Sequence, residues 1–208
     1  MAELKYLKLI VGPLESNCYI VYCPETFKAA IIDPGAEPDR IIEAIEAHGL
    51  HPELLINTHG HFDHFGANEA LLKKYSLKFA IHPEDLMLMQ HPFQKEMAVE
   101  TGYAYSDISQ PEILLEEGTQ LNVGKITLTT LHTPGHTPGS VCLYTPGYLF
   151  TGDTLFAFGI GRTDYPMGDE EALYRSLERL LSFPPETLIL PGHGEEVTLS
   201  QCRENLGI

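Results

Sequence analysis

Thr58-His59-Gly60-His61-Phe62-Asp63-His64 is the stretch on which the reading of this chain turns. It holds three imidazoles and one carboxylate. Imidazole is the commonest metal ligand, and together with carboxylate it suits zinc, iron or manganese. In an extended segment, residues two apart point to one side, so His59 and His61 can close on one ion. Asp63 and His64 are adjacent and must project elsewhere. Four donors that cannot easily share one tetrahedral ion suggest two metals, and ions about 3.5–4 Å apart make sites built for hydrolysis. The pattern H-E-x-x-H is absent, so this is not a helix-borne zinc protease site. His48, His51, His82, His91 and His132 stand alone and are read as core or surface side chains.

Outward from this stretch the chain alternates strand-like and helix-like segments. Leu4 to Val11, Asn17 to Cys23 and Phe27 to Ile32 are rich in β-formers and separated by turn residues. Pro38 to His48 carries Ile41, Ile42, Ala44 and Ile45 at helical spacing. Leu54-Leu55-Ile56 is a buried strand that delivers the chain to His59. A helix is expected over Ala67 to Tyr75, with Leu71 and Leu72 inward, and a strand over Lys78 to His82. Pro83 to Pro111 is the least periodic part, with helix expected at Glu84 to Gln90 and Phe93 to Thr101. Strands follow at Gln120 to Val123, Lys125 to Leu131, Ser140 to Thr145 and Tyr148 to Thr151. Asp169 to Leu181 is a helix with a stripe of Leu173, Leu177, Leu180 and Leu181, capped by Asp169 or Gly168. Thr187 to Leu190 is a last buried strand, and Leu199 to Asn205 a short helix. Helices are therefore expected to cover both faces of paired sheets.

The 208 residues fit one domain, residues 1–208, with a sizeable core. The formal charge of −16 argues against nucleic acid or an anionic membrane surface as partner. Charges interrupt Met1 to Lys8, so no signal-peptide core forms, and no long apolar run predicts a membrane span. Cys18, Cys23, Cys142 and Cys202 lack C-x-x-C spacing and read as buried free thiols of a cytoplasmic protein.

Three later motifs complete the donors. His132-Thr133-Pro134-Gly135-His136-Thr137-Pro138-Gly139, Thr151-Gly152-Asp153 and Pro191-Gly192-His193-Gly194 each put a donor in a turn just after a strand. With the histidine-rich segment, and with Ser16-Asn17-Cys18-Tyr19 and Ile32-Asp33-Pro34-Gly35, they span almost the whole chain. The set resembles the metallo-β-lactamase superfamily, and most of all its glyoxalase II-like thioester hydrolases.

The resemblance implies an α/β fold, an αββα four-layer sandwich with the site at the sheet edges. It implies that His59, His61 and His136 hold one divalent metal, that Asp63, His64 and His193 hold a second, and that Asp153 bridges them. The ions would be zinc, with iron or manganese as alternatives. Asp33 would support the histidine loop by hydrogen bonds. The implied activity is hydrolysis of a small-molecule thioester such as S-lactoylglutathione by a metal-bound hydroxide, with Asp63 and Asp153 orienting it. Beside full glyoxalase II the chain looks like the short, single-domain form, expected to do without the C-terminal helical domain that contributes to glutathione binding there. Gly159-Ile160-Gly161-Arg162-Thr163-Asp164-Tyr165 also resembles persulfide dioxygenases, which use one iron, although those continue differently after the equivalent of His193. Arg162 can grip a substrate carboxylate or pair with Asp164. Tyr103, Tyr105 and Tyr165 are read as core or surface residues in preference to cleft residues. A β-lactamase or lactonase would use the same chemistry on a cyclic amide or ester, and a non-catalytic metal-binding or regulatory protein is the alternative of another class.

Overall fold

Strands buried on both faces read as nearly continuous apolar runs, because successive side chains face opposite layers and both are dry. Ser16–Tyr22 shows this directly: Cys18 and Ile20 face one core, Tyr19 and Val21 another. A computed structural model describes residues 3–105 and 108–208. In chain order the first sheet contains β1 (Lys5–Val11), β2 (Ser16–Tyr22), β3 (Lys28–Ile32), β4 (His51–Ile56), β5 (Lys78–Ile81) and β6 (Ile113–Leu114), paired in that order. β1 to β3 pair antiparallel and β3 to β6 parallel. The helices among them are α1 (Pro38–Ala47), α2 (Phe62–Phe65), α3 (Asn68–Lys74), α4 (Pro83–Met89) and α5 (Pro92–Thr101).

The second half contains β7 (Gln120–Val123), β8 (Ile126–His132), β9 (Val141–Thr145), β10 (Tyr148–Gly152), β11 (Leu155–Phe156), β12 (Gly159–Ile160), α6 (Glu170–Leu180), β13 (Leu188–Pro191), β14 (Val197–Thr198) and α7 (Leu199–Leu206). Its sheet runs β14-β13-β10-β9-β8-β7, while β11 and β12 form a separate hairpin.

Three apolar cores separate four layers. Ile41, Ile45 and Leu71 of α1 and α3 pack on Ile20, Ile31 and Leu55. Tyr19, Val21 and Ile56 of the first sheet meet Leu128, Leu143 and Phe150 of the second. Leu173, Leu177 and Leu180 of α6 cover Leu131, Cys142 and Ile189 with Leu199 and Cys202 of α7. This is the αββα sandwich. Leu71 is fully buried while Leu72 is only half-buried, so one of the pair packs inward as a full core residue. All four cysteines are free and buried. No helix among the described residues is long and apolar enough to cross a membrane.

The structure differs from the expected elements where tertiary pairing decides. Strand β4 begins at His51, earlier than Leu54, because Lys28 and Ala29 offer it partners. The two-residue strands β6, β11, β12 and β14 carry no period of their own and exist through their neighbours. The histidine segment is not extended throughout. His61 is the extended cap of α2, so Asp63 and His64 lie on a single helical turn, which is how they come to aim away from His59 and His61.

The helix layer also shapes the loop after β8. Gly135 has φ +139, and a Cβ there would lie 2.3 Å from Leu173 Cα in α6. Its carbonyl accepts from Asp169 N at 2.8 Å. Gly135→Ala is expected to destabilise the protein by about 3 kcal/mol, through backbone strain and overpacking. Urea unfolding with an unchanged midpoint would refute this.

Candidate metal centre

Each donor sits just beyond a strand end: His59 after β4, His136 after β8, Asp153 after β10 and His193 after β13. The two sheets are stitched together there. Val141 N donates to Thr58 O at 2.9 Å, and Asn17 N to Gly192 O at 2.7 Å. Asn17 Nδ2 and the Tyr19 hydroxyl both donate to Pro191 O, at 2.9 and 2.8 Å. These bonds carry the last turn, with His193, onto β2.

The structure brings the donors into two groups whose ligand atoms lie within 4.8 Å of one another: His59, His61 and His136, and Asp63, His64 and His193. Asp153 lies between them. Its Oδ1 is 3.5 Å from His64 Nε2, and its Oδ2 is 3.6 Å from His193 Nε2 and 3.8 Å from His136 Nε2. His59, His61, His64 and Asp63 are buried.

The far side of each ring explains its orientation. His136 Nδ1 donates to Arg162 O at 2.7 Å, and His193 Nδ1 to Leu14 O at 3.0 Å. His64 Nδ1 lies 3.3 Å from Asp33 Oδ2. Thr58 Oγ1 donates to Asp33 Oδ2 at 2.6 Å, and its lone pair takes His59 Nδ1 at 3.1 Å. Thr58 N donates to Asp33 Oδ1 at 2.8 Å. Asp33 therefore fixes a ring in each group, and its own oxygens are occupied in doing so.

Inside the cluster, ring nitrogens of different histidines face one another. His61 Nδ1 is 2.9 Å from His136 Nε2, and His64 Nε2 is 3.2 Å from His193 Nε2. His59 Nε2 and Asp153 Oδ1 are buried without a hydrogen-bond partner. Buried lone pairs converging without a donor are costly unless a cation lies among them. The donor set fits divalent metal ions.

Charge follows the same division. Burial holds His59 well below the usual imidazole range, His61 down at about 3, and His136 below its ordinary value. Burial also acts against a charge on His64 and His193, but Asp63 and Asp153 outweigh it and raise both. Burial disfavours the carboxylates of Asp63 and Asp153 too, yet the neighbouring imidazoles hold both well below the carboxylate range. Both acids are therefore acceptors at neutral pH.

Asp33 sits at φ 51, in the left-handed region that Asn also tolerates. Asp33→Asn keeps that backbone and removes the charge. Metal affinity is expected to fall about 10–100-fold, the range for partners of metal-bound histidines. Equal affinity in a competition titration would show that Asp33 does not orient the rings.

Three supporting residues had no individual signal in the sequence. Asp85 of α4 is fully buried and accepts from Gly60 N at 2.7 Å, Thr137 Oγ1 at 2.6 Å and Gly139 N at 2.6 Å. It ties the His59–His61 loop to the His136 loop. Its readable sign is an acid on the buried stripe Asp85, Leu88, Met89 of a short helix. Gln94 accepts from Phe62 N at 2.9 Å, and Asn57 donates to His64 O at 2.8 Å. Arg162 is 52% exposed, and its Nε and Nη2 are held by Asp164 at 2.7 and 2.6 Å. Its guanidinium stacks 3.8 Å from the Tyr165 ring centre. Tyr165, read as core or surface, instead lines the cleft above the donors, whereas Tyr103 is buried. His82 and His132 stack with ring centres 4.3 Å apart, and His82 Nδ1 caps α4.

A sandwich of this topology with these donors defines a class, and the comparisons agree. Residues 11–193 match the family model of the metallo-β-lactamase superfamily, and the chain belongs to that superfamily. The hydroxyacylglutathione hydrolase GloC of Haemophilus influenzae is 36% identical over 196 residues, 92% of this chain and 91% of its own. The crystal structure of the BLEG-1 B3 metallo-β-lactamase superposes with TM-score 0.88 at 32% identity, covering 96% of this chain and 97% of the other. The di-iron-bound form of TTHA1623 gives TM-score 0.85 at 40% identity, covering 94% and 96%.

Proposed function

We propose that the protein is a metal-dependent hydrolase of small-molecule thioesters, of the glyoxalase II-like type and acting in the cytoplasm. The observation that carries this is the division of seven donors into two groups joined by Asp153, beneath a cleft of about 430 Å³. His59, His61 and His136 would hold one ion and Asp63, His64 and His193 the other, with Asp153 shared. Such ions lower the pKa of water toward ~7 and polarise a carbonyl. The similarity to GloC supports a thioester as substrate.

The chain's own contribution is orientation and proton handling. Asp33, Thr58 and the Arg162 and Leu14 carbonyls hold the histidine rings in place. Asp63 and Asp153, both ionised, accept hydrogen bonds from the attacking water and set its direction. Leu14, Phe93 and Phe156 line the approach and exclude bulk water. A thiolate leaves with little acid assistance, since a model thiol has a pKa near ~8.5. Arg162, engaged by Asp164, needs no place in the reaction.

Metal content of the purified protein, S-lactoylglutathione hydrolysis, and oxygen uptake with glutathione persulfide test this together. Two ions per chain and hydrolysis are expected. One iron with oxygen uptake would overturn the proposal in favour of a persulfide dioxygenase.

A further inference from the structure

Helix α5 presents an unusual stripe. Phe93 and Met97, four residues apart, line the cleft over the donors, while Gln94 and Ala98 carry the buried contacts behind. The Gln94 bond to Phe62 N clamps that stripe to the histidine segment. The Phe93 ring meets Tyr165 at 5.3 Å, and Tyr165 meets His61 at 5.7 Å. The cleft is also lined by Phe156 and Ile160 of the β11–β12 hairpin, with Leu14 from the β1–β2 turn. Three separate segments therefore place apolar side chains around one cleft.

A second groove of about 360 Å³ continues past Phe156 and His193. Its lining includes Phe158, which is 70% exposed at the hairpin tip, and Glu195. The Phe156 ring lies 6.4 Å from that of His193, so the two grooves meet over the donors. Among the described residues lining either groove, Arg162 in the first is the sole Lys or Arg, and Asp164 holds its fork. Glutathione brings two carboxylates, whereas Lys8, beside the second groove, is engaged by Gly194 O at 2.8 Å and faces Glu196 at 3.8 Å. The net charge of −16 adds long-range repulsion of an anionic carrier.

We propose that the substrate is a thioester with an uncharged, apolar acyl chain seated against Phe93 and Met97, carried on a thiol without carboxylates that lies along the Phe158 groove. The assignment rests on the thioester hydrolase reading and narrows it. Transfer of acyl methylenes from water to this wall is expected to raise kcat/KM by roughly fourfold each.

The test uses the metal-loaded protein and four substrates: acetyl and hexanoyl thioesters, each on N-acetylcysteamine and on glutathione. Hexanoyl has four more methylenes and should exceed acetyl by about 250-fold in kcat/KM on either carrier if all four reach the wall, and by at least about tenfold if half do. The neutral carrier should match or exceed glutathione. Met97→Ala should lower the hexanoyl-to-acetyl ratio, and the wild-type series decides alone if that variant does not fold. A hexanoyl-to-acetyl ratio below about tenfold, or a preference for glutathione, overturns this assignment and leaves the hydrolase reading standing. If no thioester is hydrolysed, S-lactoylglutathione included, the hydrolase reading falls and this inference with it.

Discussion

Asp153→Ala is expected to carry one metal equivalent where the wild type carries two, and to hydrolyse thioesters about a thousandfold more slowly. That factor corresponds to several kcal/mol of charge stabilisation, at 1.36 kcal/mol per tenfold. The Asp153 carboxylate contacts His64 and His193 of one donor group and His136 of the other. It is held ionised because the neighbouring imidazoles, His64 above all, outweigh its burial. Without it, no carboxylate remains between the groups, and Asp63 alone is left to offset the repulsion of two ions. Metal analysis and kcat/KM on one preparation check the result. Two equivalents with wild-type turnover would remove Asp153 from the site.

Asp85→Ala should have the largest effect on stability, about 4–6 kcal/mol at pH 7. It strands three buried donors, each costing about 1–3 kcal/mol when left unsatisfied. These are Gly60 N, Thr137 Oγ1 and Gly139 N. The effect is also pH-dependent. Burial pushes the Asp85 carboxyl up to about 6, against the pull of its three hydrogen bonds. A carboxyl that holds its proton more tightly when folded stabilises the fold at low pH, and that contribution is lost as pH rises through 6. The alanine variant lacks it, so its deficit should grow by about 1.4 kcal/mol from pH 7 to pH 5. Urea unfolding of both metal-free proteins at the two pH values gives the difference. A deficit that shrinks toward pH 5 would show that Asp85 is held ionised.

The layers were legible because both faces of the central strands are apolar and the helices carry their stripes. Ile41 with Ile45, and Leu173 with Leu177 and Leu180, pointed inward in the sequence as they do in space. His59, His136, Asp153 and His193 could be singled out because each follows a strand in a turn with Gly or Pro, and His61, Asp63 and His64 because they crowd into the same short segment. The α2 turn was not, since four residues hold less than two helical periods. Asp85, Gln94 and Asn57 were hidden for another reason. Asp85 and Gln94 act on polar groups of other segments, and Asn57 on the His64 carbonyl seven residues on, and no spacing in the sequence records such partnerships. Tyr165 was misread because an aromatic ring between a loop and a helix gives no sign of which side is open.

His59, His61 and His136 are all present once residue 136 has been synthesised, whereas the second set waits for His193. That histidine is placed by a bridge to Ser16 and by bonds from Asn17 to Pro191 and Gly194, across 174 and 177 residues. Closing so long a loop is slow compared with local folding. Under the proposed assignment, a chain emerging from the ribosome completes its first metal pocket well before its second. Full occupancy then certifies that β2 and β13, from opposite ends of the same molecule, have found each other.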